Sequence, residues 1–255
     1  MNNFTKELEM AVSIAKEAGV IMLKYFDIDQ QIEIKEDNSP VTIADKTINS
    51  MAIERLSKDF PDDGVIGEEE STTDYGNGRK WFCDPIDGTQ NFINGVPTAM
   101  FSLALVLDGK PVMGVAYDPF LNRMYTGIVG EKSLCNGKAL NVSSTDLKTG
   151  TVAVTGSVRS IMKADYLQKM IDDKIRLTCW NGAVNKCCLI AKGRLVAYFE
   201  HKVSAHDMAA VQVILEGAGG KVTSLKGEDL DYSKPFKGVV ASNSIVHDQL
   251  IKYCL

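Results

Sequence analysis

The chain has 255 residues, of which 45% are hydrophobic and 24% charged, so it can bury a sizeable core without disulfide or metal support. Its net charge of -5 argues against nucleic-acid binding as the main function, so we expect no nucleic-acid partner. The six cysteines show no Cys-x-x-Cys spacing, which favours reduced thiols in a cytoplasmic protein over a zinc site or a disulfide framework.

The first predicted elements are two amphipathic helices. Apolar residues recur at helical spacing over 4–26 and again from about 44 to 59, each time with a polar opposite face. Charged residues interrupt the first helix too often for a signal peptide or a membrane-spanning segment, so we expect no membrane partner. Between the helices, Ile32 and Ile34 alternate with polar neighbours up to a loop at 37–40.

After Pro61 the pattern changes to that of β-strands. Short apolar runs separated by turn residues, such as Asp108 and Gly109, predict strands that pair as antiparallel hairpins. The predicted strands span residues 65–66, 80–83, 101–107, 112–117 and 124–128.

From about residue 150, strands and helices alternate along the sequence. The predicted elements are strand 151–155, helix 162–171, strand 175–178, helix 182–192, strand 195–199, helix 207–217, strands 221–225 and 238–242, and helix 244–253. This order predicts an α/β second lobe over about 148–255, beside an antiparallel-rich first lobe over about 1–147. No linker separates the lobes, so we expect a single layered domain over 1–255, of mixed α+β and α/β class.

The segment CDPIDGTQNF, at residues 83–92, places two carboxylates three residues apart around a proline. The simplest interpretation is two successive turns, since Asp-Pro and Asp-Gly both favour turns. The alternative is a metal site. Asp84 and Asp87, with Pro85 stiffening the connection, can bring two carboxylates and the Ile86 carbonyl to one small volume. These are the oxygen ligands that Mg²⁺ prefers.

Acidic residues follow apolar strands or begin helices at three places, namely Glu68-Glu69, Asp84 with Asp87, and Asp207. One acidic run is usually a solvated face, but strands that end side by side bring such residues to one rim of a sheet. Three clusters in equivalent positions favour a two-metal site for phosphoryl chemistry, with cations roughly 4 Å apart.

Gly88 and Thr89 directly follow the second acidic cluster and open a predicted helix. The free N–H groups at a helix start attract phosphate, so these two residues are candidates for binding the phosphate next to the metals.

Four segments resemble, in order, the signatures of the inositol monophosphatase family, which comprises lithium-sensitive, magnesium-dependent sugar phosphatases. The segments are VTIAD at 41–45, GEE at 67–69, DPIDGTQNF at 84–92, and DMAA at 207–210 with Gly-Gly at 219–220. The resemblance covers nearly the whole chain. It implies a layered αβαβα sandwich, a hydrolase acting on a small phosphorylated substrate, and a homodimer.

The resemblance also implies roles for individual residues. It assigns two or three Mg²⁺ ions to Glu68, Asp84, the Ile86 carbonyl, Asp87 and Asp207. Asp84 is shared by the first two ions, and Glu68 also touches a weaker third ion. The implied catalytic residues are Thr89 and Asp45, which position or deprotonate the attacking water, together with Glu68.

The substrate-binding residues implied by the resemblance are Asp87, Gly88, Thr89, Ala183 and Glu200. Glu200 stands where many relatives accept hydrogen bonds from inositol hydroxyls, so inositol monophosphate is the first candidate substrate. Histidinol phosphate, fructose bisphosphate and adenosine bisphosphate nucleotides stay open as alternatives. A different class of function, a regulatory binding protein on the same fold, also stays open.

Two residues depart from the family pattern. His206 replaces the usual tryptophan, and it either packs as an aromatic ring, as we expect, or contacts the substrate, or weakens the second metal site. Gly217 replaces a glutamate, which weakens the helix end by up to ~1 kcal/mol. The other histidines, His201 and His247, are expected at the surface.

Overall fold

The computed structural model describes residues 4–28, 30–36, 38–72, 76–156 and 164–254. The helices are α1 (Thr5–Tyr25), α2 (Ile43–Asp59), α3 (Thr89–Ile93), α4 (Asp165–Asp172), α5 (Val184–Ala191), α6 (Ala205–Gly217) and α7 (His247–Cys254). Within these described ranges no helix combines the length and apolar character needed to cross a bilayer.

The strands form a two-stranded ribbon, a seven-stranded sheet and a five-stranded sheet. They are β1 (Glu33–Ile34), β2 (Pro40–Val41), β3 (Gly64–Gly67), β4 (Arg79–Asp87), β5 (Met100–Leu107), β6 (Lys110–Asp118), β7 (Arg123–Ile128), β8 (Leu134–Cys135), β9 (Lys138–Ala139), β10 (Thr151–Val154), β11 (Arg176–Cys179), β12 (Ala197–Glu200), β13 (Lys221–Thr223) and β14 (Val239–Ser242).

The seven-stranded sheet runs in sequence order from β3 to β9 and is antiparallel except for the parallel pair β3–β4. Helices α1 and α2 pack against it on one side, and α6 packs against it on the other. Because both faces are covered, β5 is apolar along almost its whole length.

The five-stranded sheet has the order β11-β10-β12-β14-β13 and mixes parallel and antiparallel pairs. Helices α5 and α6 lie between the two sheets, while α4 and α7 cover the outer face of the second sheet. The resulting order of layers is helices, sheet, helices, sheet, helices. The expected αβαβα sandwich, with an antiparallel-rich first half and an α/β second half, is therefore confirmed.

Most predicted elements are present with shifted ends. Helix α6 begins at Ala205, before the predicted start at 207, because Ser204 caps it. The predicted strand 195–199 is found at Ala197–Glu200, and part of the predicted helix 162–171 lies outside the described residues. The short strands β8 and β9 were not predicted.

Gly217 has a packing role that the sequence did not reveal. A β-carbon at this position would collide with the Ser133 side chain and lie 2.9 Å from the Glu131 carbonyl oxygen. The backbone N–H of Ser133 also donates to the Gly217 carbonyl, at 3.3 Å. The glycine therefore allows the loop after β7 to approach the end of α6.

The expectation that His247 lies at the surface is wrong, because its side chain is buried. One ring nitrogen pairs with the Thr223 hydroxyl at 2.9 Å and the other with the Ser242 hydroxyl at 2.8 Å. Burial, with the charge of Lys221, lowers the pKa of His247 to about 4. His247 therefore serves packing as a neutral ring, whereas His201 is exposed as expected.

Candidate active site

A β-bulge in β4 explains how Asp84 and Asp87 reach the same site. Side chains of a regular strand alternate between faces, so residues three apart point in opposite directions. In β4, Asp84 pairs with Ser102 and Asp87 with Met100, so β4 contains one extra residue at this point. The extra residue restores the two aspartates to one face of the sheet. Pro85 lies inside the bulge, where a missing N–H is tolerated.

The predicted acidic residues converge beside this bulge. Carboxylate oxygens of Asp84, Asp87 and Asp207 lie within 4.8 Å of one another, and oxygens of Glu68 and Asp84 lie equally close to a ring nitrogen of His206. The Oδ1 atom of Asp84 is buried and lacks a hydrogen-bond partner. A buried, unpaired carboxylate oxygen among other acidic groups fits the oxygen ligand set of a divalent cation.

Burial and mutual repulsion raise the pKa values of the clustered carboxyl groups. Burial raises the pKa of Asp84 well above its usual range, and the charges of Glu68, Asp87 and Asp207 raise it further. Burial, followed by the charge of Asp207, raises the pKa of Asp87 to about 7. Without a cation, the folded protein therefore holds these carboxyls together at an electrostatic cost.

Helix α2 supports the turn that carries Glu68. The Asn49 side chain donates to the Glu70 carbonyl at 3.1 Å and accepts from the Glu69 N–H at 3.4 Å. A β-carbon on Gly67 would collide with Asn49, so the GEE turn needs its glycine to lie this close to the helix. Asn49 was not among the predicted site residues.

Lys35 is a second residue that the sequence did not indicate. Its ammonium group, just after β1, donates to Glu68 at 2.9 Å and to Glu69 at 2.5 Å. Burial lowers the pKa of Lys35, but the hydrogen bonds and charges of Glu69 and Glu68 outweigh burial and raise it overall. A cation that binds Glu68 must therefore compete with this ammonium group.

Thr89 and Asp45, the residues that the resemblance assigns to the attacking water, contact each other. The Thr89 hydroxyl lies 3.3 Å from Asp45 Oδ1 and 3.0 Å from the Ile86 carbonyl oxygen. Asp45 stands in the first turn of α2, where its Oδ2 accepts from the N–H and hydroxyl of Thr42. Burial is the largest cause that raises the pKa of Asp45 to about 7, with the charge of Glu68 adding to it.

The start of α5 holds Asp87 from the second half of the chain. The N–H groups of Ala183 and Val184 donate to the two carboxylate oxygens of Asp87, at 2.8 and 2.9 Å. Gly182 precedes them with φ of 91°, and a β-carbon there would lie 2.7 Å from Asp87 Oδ2. Glycine is therefore required for this approach. Ala183 lies beside Asp87, to which its N–H is bonded, and its role in substrate binding stays a prediction.

A buried lysine ties this turn to the second sheet. Lys186 in α5 is completely buried, and its ammonium group donates to the Gly182 carbonyl at 2.5 Å and to the Thr155 hydroxyl at 2.7 Å. Burial lowers the pKa of Lys186 to about 8, although the charge of Asp87 opposes that change. A lysine in an amphipathic pattern is usually predicted at the surface, so this buried contact could not be predicted from the sequence.

Glu200 ends β12 and has a fixed orientation. Its Oε1 accepts from the N–H groups of His201 at 2.9 Å and Lys202 at 3.2 Å. Its charge acts on Lys186 and Tyr198, which places it in the same part of the second lobe as the turn that holds Asp87.

Known proteins resemble this chain in sequence and in fold. A family model described as "Inositol monophosphatase family" matches residues 4–254. The histidinol-phosphatase of Mycobacterium tuberculosis is 32% identical over 256 residues, with 96% of each chain covered. Inositol monophosphatase 3 of Solanum lycopersicum is 33% identical over 258 residues, covering 96% of this chain and 95% of the relative. The Thermotoga maritima IMPase structure superposes with a TM-score of 0.89 at 25% identity, over 98% of this chain and 97% of that one.

The layered sandwich and its acidic clusters define a phosphatase of the metal-dependent class. The chain belongs to the inositol monophosphatase family, and it is a phosphoric monoester hydrolase.

Proposed function

We propose that this phosphatase hydrolyses a small polyol phosphate monoester, with inositol monophosphate as the first candidate. The observation that carries the proposal is the convergence of Asp84, Asp87 and Asp207 beside the left-handed Gly88 turn and Thr89. Metal-assisted hydrolysis of a phosphate monoester uses such a combination of cation ligands and backbone donors at one place. Its residues come from both halves of the chain, which supports one domain with two lobes.

We assign two or three Mg²⁺ ions to this cluster. Asp84 would share its carboxylate between a site with Glu68 and a site with Asp87 and Asp207, and the family resemblance adds the Ile86 carbonyl to the first site. When bound, the cations activate a water molecule and neutralise the phosphate oxygens.

The chain's own residues position the water and its proton. The Thr89 hydroxyl reaches Asp45 Oδ1 as well as the Ile86 carbonyl, so it can accept a proton from water as it donates its own to Asp45. Asp45 is held through its other oxygen by Thr42. A carboxylate with a pKa of about 7 is suited to accept a proton at neutral pH.

The second lobe would bind the leaving polyol. One oxygen of Glu200 accepts from backbone N–H groups, and the other would accept a hydrogen bond from a substrate hydroxyl. Ala183 would line the same pocket through its backbone. Histidinol phosphate is a second candidate, because a carboxylate pairs with an amine and a relative is named histidinol-phosphatase.

A substrate panel tests the proposal. Chelator-treated protein is assayed on inositol monophosphate, histidinol phosphate, fructose bisphosphate and an adenosine bisphosphate, with and without Mg²⁺. We expect Mg²⁺-dependent release of phosphate, greatest from inositol monophosphate, and inhibition by Li⁺. Absence of phosphate release from every substrate would contradict the proposal. Family resemblance also supports a cytoplasmic homodimer. Light scattering coupled to size-exclusion chromatography tests whether the protein is a dimer.

A further inference from the structure

We propose that His206 is a metal ligand, so that the cation site of Glu68 and Asp84 has a nitrogen donor and prefers a first-row transition ion over Mg²⁺. The inference rests on the proposed metal-dependent function and refines one of its two sites. It departs from the sequence-based expectation that His206 only packs as an aromatic ring.

The position of the imidazole carries the inference. A ring nitrogen of His206 lies within 4.8 Å of carboxylate oxygens of both Glu68 and Asp84. Two donors bound to one cation at about 2.1 Å lie no more than about 4.2 Å apart, so small side-chain rotations complete the site. Nε2 is 3.8 Å from Asp207 Oδ1, which is too long for a hydrogen bond.

Asp84, which belongs to both acidic groups, supplies a second indication that a ligand belongs at this cluster. The residue is buried, with 1% of its surface exposed, and its Oδ1 has no hydrogen-bond partner. Such an atom is costly unless a ligand satisfies it. A ring nitrogen of the imidazole borders the same small volume as the two carboxylates, as a ligand to the same cation requires.

Helix α6 fixes His206 in this place. The Ser204 N–H donates to Asp207 Oδ2 at 2.6 Å, and Ser204 caps the helix. Asp207 then faces Asp84 and Asp87, while the preceding residue, His206, faces Glu68. Adjacent residues in one helical turn therefore serve the two halves of the cluster.

The donor sets of the two sites consequently differ. Asp84, Asp87 and Asp207 offer carboxylate oxygens alone, which suit Mg²⁺, whereas Glu68, Asp84 and His206 add imidazole nitrogen. Imidazole favours ions such as Fe²⁺, Co²⁺, Ni²⁺ and Zn²⁺ over Mg²⁺. We therefore expect one site that prefers hard cations such as Mg²⁺ and one that prefers borderline ions such as Co²⁺, with Asp84 shared by both.

Co²⁺ is the probe for the test. Untagged, chelator-treated protein labelled with ¹⁵N-histidine receives one and then two equivalents of Co²⁺, and its proton NMR spectrum is recorded. A coordinated imidazole gives an exchangeable N–H resonance shifted far outside the normal range by the paramagnetic ion and split by ¹⁵N. The chain has only three histidines, and His247 has both ring nitrogens paired.

Two variants complete the experiment. His206→Phe keeps an aromatic ring and should lose the shifted resonance, with Co²⁺ affinity lowered about tenfold or more and Mg²⁺ affinity changed less than about threefold by calorimetry. His201→Phe is the matched control and should keep both properties of the original protein.

The labelled wild-type spectrum decides the question even if His206→Phe folds poorly. A missing shifted resonance at both Co²⁺ loadings, or unchanged Co²⁺ affinity in His206→Phe, overturns the assignment while leaving an oxygen-only metal site intact. Failure of the wild-type protein to bind either Co²⁺ or Mg²⁺ would instead overturn the proposed function as well.

Discussion

Replacing Asp84 by asparagine should stabilise the ion-free protein while it abolishes most turnover. Asp84 lies within 4.8 Å of Asp87 and Asp207 through their carboxylate oxygens. Two charges at that separation, with an effective dielectric constant of about 20, repel by about 3 kcal/mol. Because burial and the acidic neighbours raise the pKa of Asp84, the folded ion-free protein must either keep this carboxyl protonated or bear the repulsion, and asparagine avoids both at nearly constant volume. The gain should be of this size at a pH where the carboxyl of the unfolded chain is ionised.

The pH dependence gives the prediction its sign. The pKa of Asp87 is about 7 in the folded chain against 3.8 for the unperturbed group, so the folded state holds the extra proton between these values. The stability of ion-free wild type should therefore fall as pH rises from about 4 to 7. The advantage of Asp84→Asn should be largest near pH 8 and shrink toward pH 5.

Calorimetry in EDTA measures the effect. At pH 8, Asp84→Asn should unfold roughly 6–12 °C higher than wild type. It should also lose most of the stabilisation that wild type gains from Mg²⁺ and at least ~100-fold in phosphatase rate. Asp118→Asn is the control. Burial raises the pKa of this aspartate as well, but the charges of Arg123 and Lys192 oppose that change, so the control should show a much smaller gain. An ion-free Asp84→Asn protein that is no more stable than wild type at pH 8 would refute the reasoning.

Three further predictions concern the residues around this cluster. Lys35→Gln should tighten Mg²⁺ binding about fivefold, because a cation that binds Glu68 must displace a partly buried ion pair that contributes ~1 kcal/mol. Calorimetry measures the affinity, and weaker Mg²⁺ binding by the variant would contradict the prediction. Glu200→Gln keeps an oxygen for the two backbone N–H groups, so it should reduce kcat/KM for inositol monophosphate about tenfold while sparing an aryl phosphate. Equal losses on both substrates would show that Glu200 supports the metals instead. Burial lowers the pKa of Lys186 to about 8, so the stability of the wild-type protein should rise from pH 8 to 10 as this buried charge is lost. Lys186→Met should remove that rise, measured by urea unfolding, and a pH profile unchanged by the substitution would contradict the prediction.

The layered fold could be predicted because its elements are long and periodic. The helix at Thr5–Tyr25 and the strand at Met100–Leu107 each show one clear pattern of apolar residues. The two-residue strands β8 and β9 are too short to carry any period. The acidic residues were predicted to cluster because they follow strands or begin a helix, and the structure brings Glu68, Asp84 and Asp207 together in two overlapping groups. Their roles as ligands stay predictions.

The rest depended on contacts between distant segments. Lys186 and His247 carry polar side chains that suggest solvent, yet partners such as Thr155 and Thr223 satisfy them in the interior. Asn49 supports the GEE turn only because α2 lies against it. The bulge that aligns Asp84 with Asp87 likewise depends on pairing with β5, which the two aspartates alone do not specify.

The hydrogen bonds that hold Asp87 can form only late in folding, because both donors come from a distant part of the chain. Its partners, the N–H groups of Ala183 and Val184, lie 96 and 97 residues further along the chain. Contacts of such sequence separation form late, since a long loop must close before they stabilise anything. A ribosome releases Asp84 and Asp87 well before these amides and before Asp207. The nascent chain therefore carries two of the clustered carboxylates before their partners exist, and on the proposed mechanism phosphatase activity would report that both sheets have folded and docked.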